Sequence, residues 1–116
     1  MHGPNDHSPT ALELARRAFV TTVKATSGAQ RGWAKLVDQA RRAASGVPLQ
    51  LTESDSRVGN DRLQLRRIAY GSAREARMAL AMLAEVEAIV PAEAQTAIDL
   101  LDRVCAMTWR LMQYRL

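Results

Sequence analysis

Histidine is nearly missing from this chain: His2 and His7 are the only two, both within the first seven residues. That removes the Ser-His-Asp and Cys-His arrangements of nucleophilic catalysis, and the Glu-x-x-His pairs of a ferritin-like metal bundle. His2 and His7 have no third ligand beside them, so no metal is expected there. Cys105 is the single cysteine, which excludes an intrachain disulfide; set among apolar neighbours, it reads as a small buried hydrophobe. No apolar run approaches the ~20 residues a bilayer requires, so no membrane span is expected. The N-terminus through Pro9 has neither a basic flank nor an apolar segment; no signal peptide is visible, and a cytoplasmic location is the expectation. Gly71-Ser72 is not followed by the Gly-Lys-Ser/Thr pattern of a phosphate loop, and its small residues suggest a close helix crossing instead. These absences together predict a protein without cofactor and without catalysis.

Aromatic residues make up 4% of the chain against 47% apolar residues overall, and the apolar set is rich in alanine. With few β-branched residues, this composition points to an all-α protein, and 116 residues make one domain. The net charge is +4, carried by arginine except for Lys24 and Lys35. Guanidinium suits bidentate phosphate or carboxylate contacts and stacking better than ammonium does. An acidic partner fits that balance.

Residues 1–8 read as a disordered tail and 9–116 as a helical domain. Helix one begins at Ser8, with Pro9 in the first turn, or at Thr10, whose spacing to Glu13 matches a capping box. Ser27-Gly28 ends it, with glycine as the left-handed residue. Helix two is expected from Trp33 to Ser56 with a core face of Trp33, Leu36, Val37, Ala40, Ala44, Val47 and Leu51. Pro48 inside it predicts a kink, or else two separate helices. After the turn at Arg57-Val58-Gly59-Asn60, helix three spans Asp61 to Val90 and stops before Pro91. Its apolar face is Leu65, Ile68, Ala69, Ser72, Ala76, Ala79, Leu80 and Leu83; beside it, at the same period, runs the row Arg67, Tyr70, Arg74, Arg77. Helix four, Ala92 to Tyr114, carries one apolar row through Ala94, Ile98, Leu101, Cys105, Thr108 and Met112, and a second through Leu100, Val104, Met107, Leu111 and Tyr114. The second row exceeds what one core needs and is expected to be an oligomer interface. Four such helices with short links predict an up-down-up-down antiparallel four-helix bundle.

The stretches Gln39-Ala-Arg-Arg-Ala-Ala-Ser-Gly-Val-Pro48 and Arg67-Ile-Ala-Tyr-Gly-Ser-Ala-Arg-Glu75 resemble the paired motifs of a family of four-helix bundles. Its members were first noticed as reading frames inside intervening sequences of bacterial 23S rRNA. Asp61-Arg62-Leu63 and the closing run Leu101 to Leu111 are similar to it as well. The family's asparagine is Gln50 here, and its Ala-Glu-Gly signature is Thr52-Glu53-Ser54. The resemblance implies a ring-like homopentamer. Through the related accessory variability determinants of diversity-generating retroelements, it also implies a basic surface that binds nucleic acid or a reverse transcriptase.

Two functional readings stand side by side. In one, Arg41, Arg42, Arg66, Arg67, Arg74 and Arg77 of helices two and three share a surface that neutralises RNA or DNA phosphates while Tyr70 stacks. In the other, these arginines are paired internally, with Glu53 and Glu75 for example, or dock an acidic protein, and the molecule is an assembly or adaptor module. Trp33 and Trp109 offer themselves as ligand platforms, but at helical spacing they are expected as core or subunit contacts.

Overall fold

A computed structural model describes residues 8–113; the expected tail with His2 and His7, and Tyr114 of the second row, lie outside them. Four α-helices make up the chain: α1 (Ala11–Thr26), α2 (Ala34–Asp55), α3 (Gly59–Glu85) and α4 (Pro91–Met112), with a 3-10 turn at Arg31–Trp33. Among the described residues there is no strand, and no helix is long and apolar enough to cross a membrane. Each helix packs on the next and α4 closes on α1. Polar contacts give the directions. Ser54, Gln50 and Gln39 of α2 meet Arg62, Ser72 and Glu75 of α3 in reverse order. Asp102, Trp109 and Leu111 of α4 likewise meet Arg77, Tyr70 and Arg66 in reverse. Both pairs are antiparallel, as the bundle topology requires.

Local chemistry explains the boundaries. Thr10 caps α1: its side chain accepts from the Glu13 N–H at 3.1 Å, so Pro9 stands before the helix rather than in its first turn. Gly28 was expected to be left-handed and is not; a turn bond from the Ala29 N–H to the Thr26 carbonyl closes α1 instead. α2 runs unbroken through Pro48. α3 ends at Glu85, five residues short of the expected Val90. There the Ala88 N–H donates to the Leu83 carbonyl and the Glu87 N–H to that of Ala84, while Glu87 holds φ 60°. This is a Schellman motif with glutamate where glycine is usual. The motif turns Ala88 and Ile89 into the core, an early stop that the Pro91 signal alone does not show. Gly59, with φ 59°, takes the positive conformation at the start of α3, and no side chain caps that end.

The core is built from alanine and a few larger aliphatics. Ala15, Ala18, Ala40, Ala69, Ala73, Ala76, Ala94 and Ala97 are fully buried beside Leu14, Leu80, Leu83, Leu101, Val47 and Val104. Small side chains let helix axes approach closely and leave little volume to spare, so cores of this kind tolerate neither deletion nor addition well. The close approach between α2 and α3 falls at Gly46, where an added Cβ would meet the Ser72 hydroxyl at 3.5 Å and the Gln50 amide at 3.1 Å. Gly71 has nothing near it, so the crossing expected at Gly71-Ser72 is made by Gly46 and Ser72. Trp33 and Ile68, expected in the core, stand exposed.

Candidate nucleic-acid interface

The arginines divide by what their guanidiniums touch. Arg41 Nε donates to Thr26 Oγ1 at 2.9 Å and its Nη2 to the Val23 carbonyl at 3.4 Å. Arg62 Nε donates to the Ser54 carbonyl at 3.2 Å, and Arg66 Nη1 to the Leu111 carbonyl at 3.0 Å. Val23, Ser54 and Leu111 lie in the last turns of α1, α2 and α4, where their carbonyls also accept from Thr26 and Ser27, from the Arg57 N–H and from the Gln113 N–H respectively. Three arginines thus cap three helix C-termini from neighbouring helices, placing positive charge at the negative end of each dipole. The remaining C-terminus, that of α3, closes on its own backbone through the Schellman bonds. Arg66 Nε is shielded and unpartnered, a cost its carbonyl bond must offset.

Two of the six arginines expected on a common surface, Arg41 and Arg66, are therefore committed to the fold. Arg42 pairs with Asp38 one turn away, at 3.6 Å on an exposed face. Arg77 pairs with Asp102 of α4, and that hydrogen bond raises its pKa, keeping it charged. Glu53 pairs with Arg57 at 3.2 Å, whereas Glu75 accepts from Gln39 at 3.4 Å and has no arginine partner among the described residues. The seam between α2 and α3 holds the Gln39–Glu75 and Gln50–Ser72 contacts, while Arg41 turns toward α1.

Arg67 and Arg74 are the exceptions. Both are exposed on α3, and neither has a carboxylate partner among the described residues. They stand seven residues apart, two turns on one face, with Tyr70 three residues from one and four from the other. The Arg74 guanidinium lies over the Tyr70 ring at 5.8 Å from its centroid. Tyr70 in turn meets Trp109 of α4, with ring centroids 5.7 Å apart and planes tilted by 48°. Trp109 is 52% exposed, so it is neither core nor covered by this chain. Tyr70, Cys105, Ala106, Trp109 and Arg110 line a shallow concavity of about 450 Å³. Burial pushes the Cys105 thiol up in pKa, with Arg77 opposing it, so the floor stays neutral and protonated. The row read from the sequence is therefore real along α3, but its companions come from α4. α3 packs on both α2 and α4, and Arg77–Asp102 and Tyr70–Trp109 bring Trp109, with Arg110 beside it, to this row.

The second apolar row of α4 is divided between core and surface. Val104 is fully buried in this chain, and Leu100, Met107 and Leu111 pack against the core beside α1, where Leu12 and Phe19 join them. Leu100, Met107 and Leu111 stay half-buried and line open grooves shared with α1. Exposed apolar side chains gather elsewhere, at Met78, Met82 and Val86 along α3. Among the described residues, no three His, Cys, Asp or Glu side chains come together in a way that suits a metal.

Residues 10–110 match the family model of the 23S rRNA-intervening sequence protein. The chain belongs to that family. A Bacteroides thetaiotaomicron protein of unknown function from the S23 ribosomal protein family has a similar solved structure, with a TM-score of 0.70 at 16% identity. The match covers 90% of this chain and 95% of that one, and at this identity it speaks for the fold. No curated protein is significantly similar in sequence. Within the family, the two motif segments have a structural meaning here. Gln50, where the family has asparagine, accepts from the Ser72 hydroxyl at 2.9 Å, and Gln39 donates to Glu75. The motifs of α2 and α3 brace one another across the seam through these contacts, while Arg67, Tyr70 and Arg74 of the same α3 motif lie on the arginine–aromatic face.

Proposed function

We propose that this protein is a non-enzymatic nucleic-acid-binding bundle whose contact face is the α3–α4 side, with Arg67 and Arg74 on phosphates and Tyr70, Trp109 and Arg110 beside them. The observation that carries this reading is the pair Arg67 and Arg74, exposed and without a carboxylate partner among the described residues, beside the half-buried Tyr70 and the exposed Trp109. Fluorescence-anisotropy titration with labelled RNA and DNA oligonucleotides at two salt concentrations tests the proposal. Binding that weakens with salt and with Arg67→Ala/Arg74→Ala supports it; absence of binding at low salt contradicts it.

A second reading, assembly, is favoured by a different observation. Met78, Met82 and Val86 recur at four-residue steps and are 59%, 40% and 45% exposed. A continuous apolar stripe on a helix is a surface for another helix. The ring-like homo-oligomer that the family resemblance implies would form there, and an adaptor role toward an acidic protein or a reverse transcriptase would use the arginine face. Light scattering should show an oligomer that Met78→Glu/Met82→Glu dissociates; a monomeric wild type contradicts it. Pull-down with and without nuclease separates a nucleic-acid ligand from a protein partner.

A further inference from the structure

We infer that the concavity at Trp109 takes an unpaired nucleobase, so that the ligand of the α3–α4 face is a single strand or loop and not a duplex; this rests on the nucleic-acid reading above. The geometry of the two rings carries it. Tyr70 is half-buried and has Arg74 over its ring, whereas Trp109 touches Tyr70 at a 48° tilt and is more than half exposed. A tilted contact does not cover the indole face, so Trp109 presents an open aromatic surface in the concavity. The residues around it suit a base. Ala106 is small and the Cys105 thiol is neutral, so the floor is apolar; Arg110 stands at the edge, and Arg67 and Arg74 lie across the face to take the flanking phosphates.

Helical duplexes hide both faces of every internal base, and their backbone alone would engage the arginines while leaving Trp109 untouched. An unpaired base offers a free π-face to an aromatic platform, and stacking of this kind tolerates any base. Preference should therefore follow strandedness and not sequence.

The test uses the full chain carrying Trp33→Phe, a substitution at an exposed position outside this face, so that Trp109 is the only tryptophan. Single-stranded RNA, single-stranded DNA and blunt duplexes of equal length are titrated at low salt, reading both Trp109 emission and the anisotropy of a labelled oligonucleotide. The expected result is quenching of Trp109 by single strands only, with binding roughly ten-fold or more tighter than to duplex. Trp109→Ala should reduce single-strand affinity to the duplex level and leave duplex affinity unchanged, while Trp109→Phe restores most of the preference. Equal affinity for both forms without a change in Trp109 emission overturns this inference and leaves the basic-face reading standing. Failure of every oligonucleotide to bind at low salt removes that reading and this one together.

Discussion

Arg66 and Arg67 are adjacent in sequence and opposite in use. Arg66 turns inward at the end of the bundle and bonds the Leu111 carbonyl; Arg67, one residue on, stands in solvent on the outer face of α3. The same contrast holds between regions. At the helix ends, Arg41, Arg62 and Arg66 donate to backbone carbonyls of neighbouring helices; along the middle of α3, Arg67 and Arg74 have no carboxylate partner among the described residues. Positive charge in a helical bundle is thus two populations with different duties, and composition counts them as one.

Substitutions separate the two populations. Arg41→Ala removes the bonds to Thr26 and Val23 at the end of α1, and charge-assisted bonds of this kind contribute about 1.5–3 kcal/mol. Denaturant unfolding should show a loss in that range, with nucleic-acid affinity unchanged at temperatures where the variant is folded. Arg66→Lys should recover only part of the loss caused by Arg66→Ala, because an ammonium lacks the planar fork. Gly71→Ala isolates the backbone of α3 from its chemistry. The added Cβ meets nothing within 4 Å, so thermal unfolding should show stabilisation of about 0.5–1 kcal/mol. Arg42→Ala breaks an exposed pair with its own helix and should change stability and binding by less than about 0.5 kcal/mol.

Cys105 gives the smallest and most specific effect. Its folded pKa lies above that of the free thiol because burial disfavours the thiolate. The unfolded chain therefore loses this proton first, and stability should fall as pH climbs from the ordinary thiol value toward the raised one. Cys105→Ala should flatten that part of the pH–stability curve, measured by chemical denaturation between neutral and alkaline pH.

Much of the fold was legible because periodicity reports which side of a helix is buried. Ala69, Ala76, Leu80 and Leu83 of α3, and Ala94, Leu101 and Thr108 of α4, are buried as their spacing predicts. Periodicity does not report which neighbour covers a row. Val104 is fully buried while Leu100, Met107 and Leu111 are half-buried against the core, a partition that spacing alone does not resolve. The arginine row suffered from the same blindness. Its spacing along α3 was readable, yet its partner helix was set by Arg77–Asp102 and Tyr70–Trp109, contacts between residues 25 and 39 positions apart. Arg62 was overlooked since a capping bond from a neighbouring helix leaves no local pattern. The early end of α3 was hidden for a related reason: glutamate, not glycine, occupies the left-handed position at Glu87.

The central claim is that the free arginines, and not the helix-end ones, meet phosphate. The salt dependence of binding measures this most directly, because each phosphate contact contributes a slope of about 0.7 for a single strand in log affinity against log salt. Arg67→Ala and Arg74→Ala should each lower that slope by roughly one contact, and Arg42→Ala should leave it unchanged. A slope that is the same in wild type and in the Arg67→Ala/Arg74→Ala double variant would contradict the account.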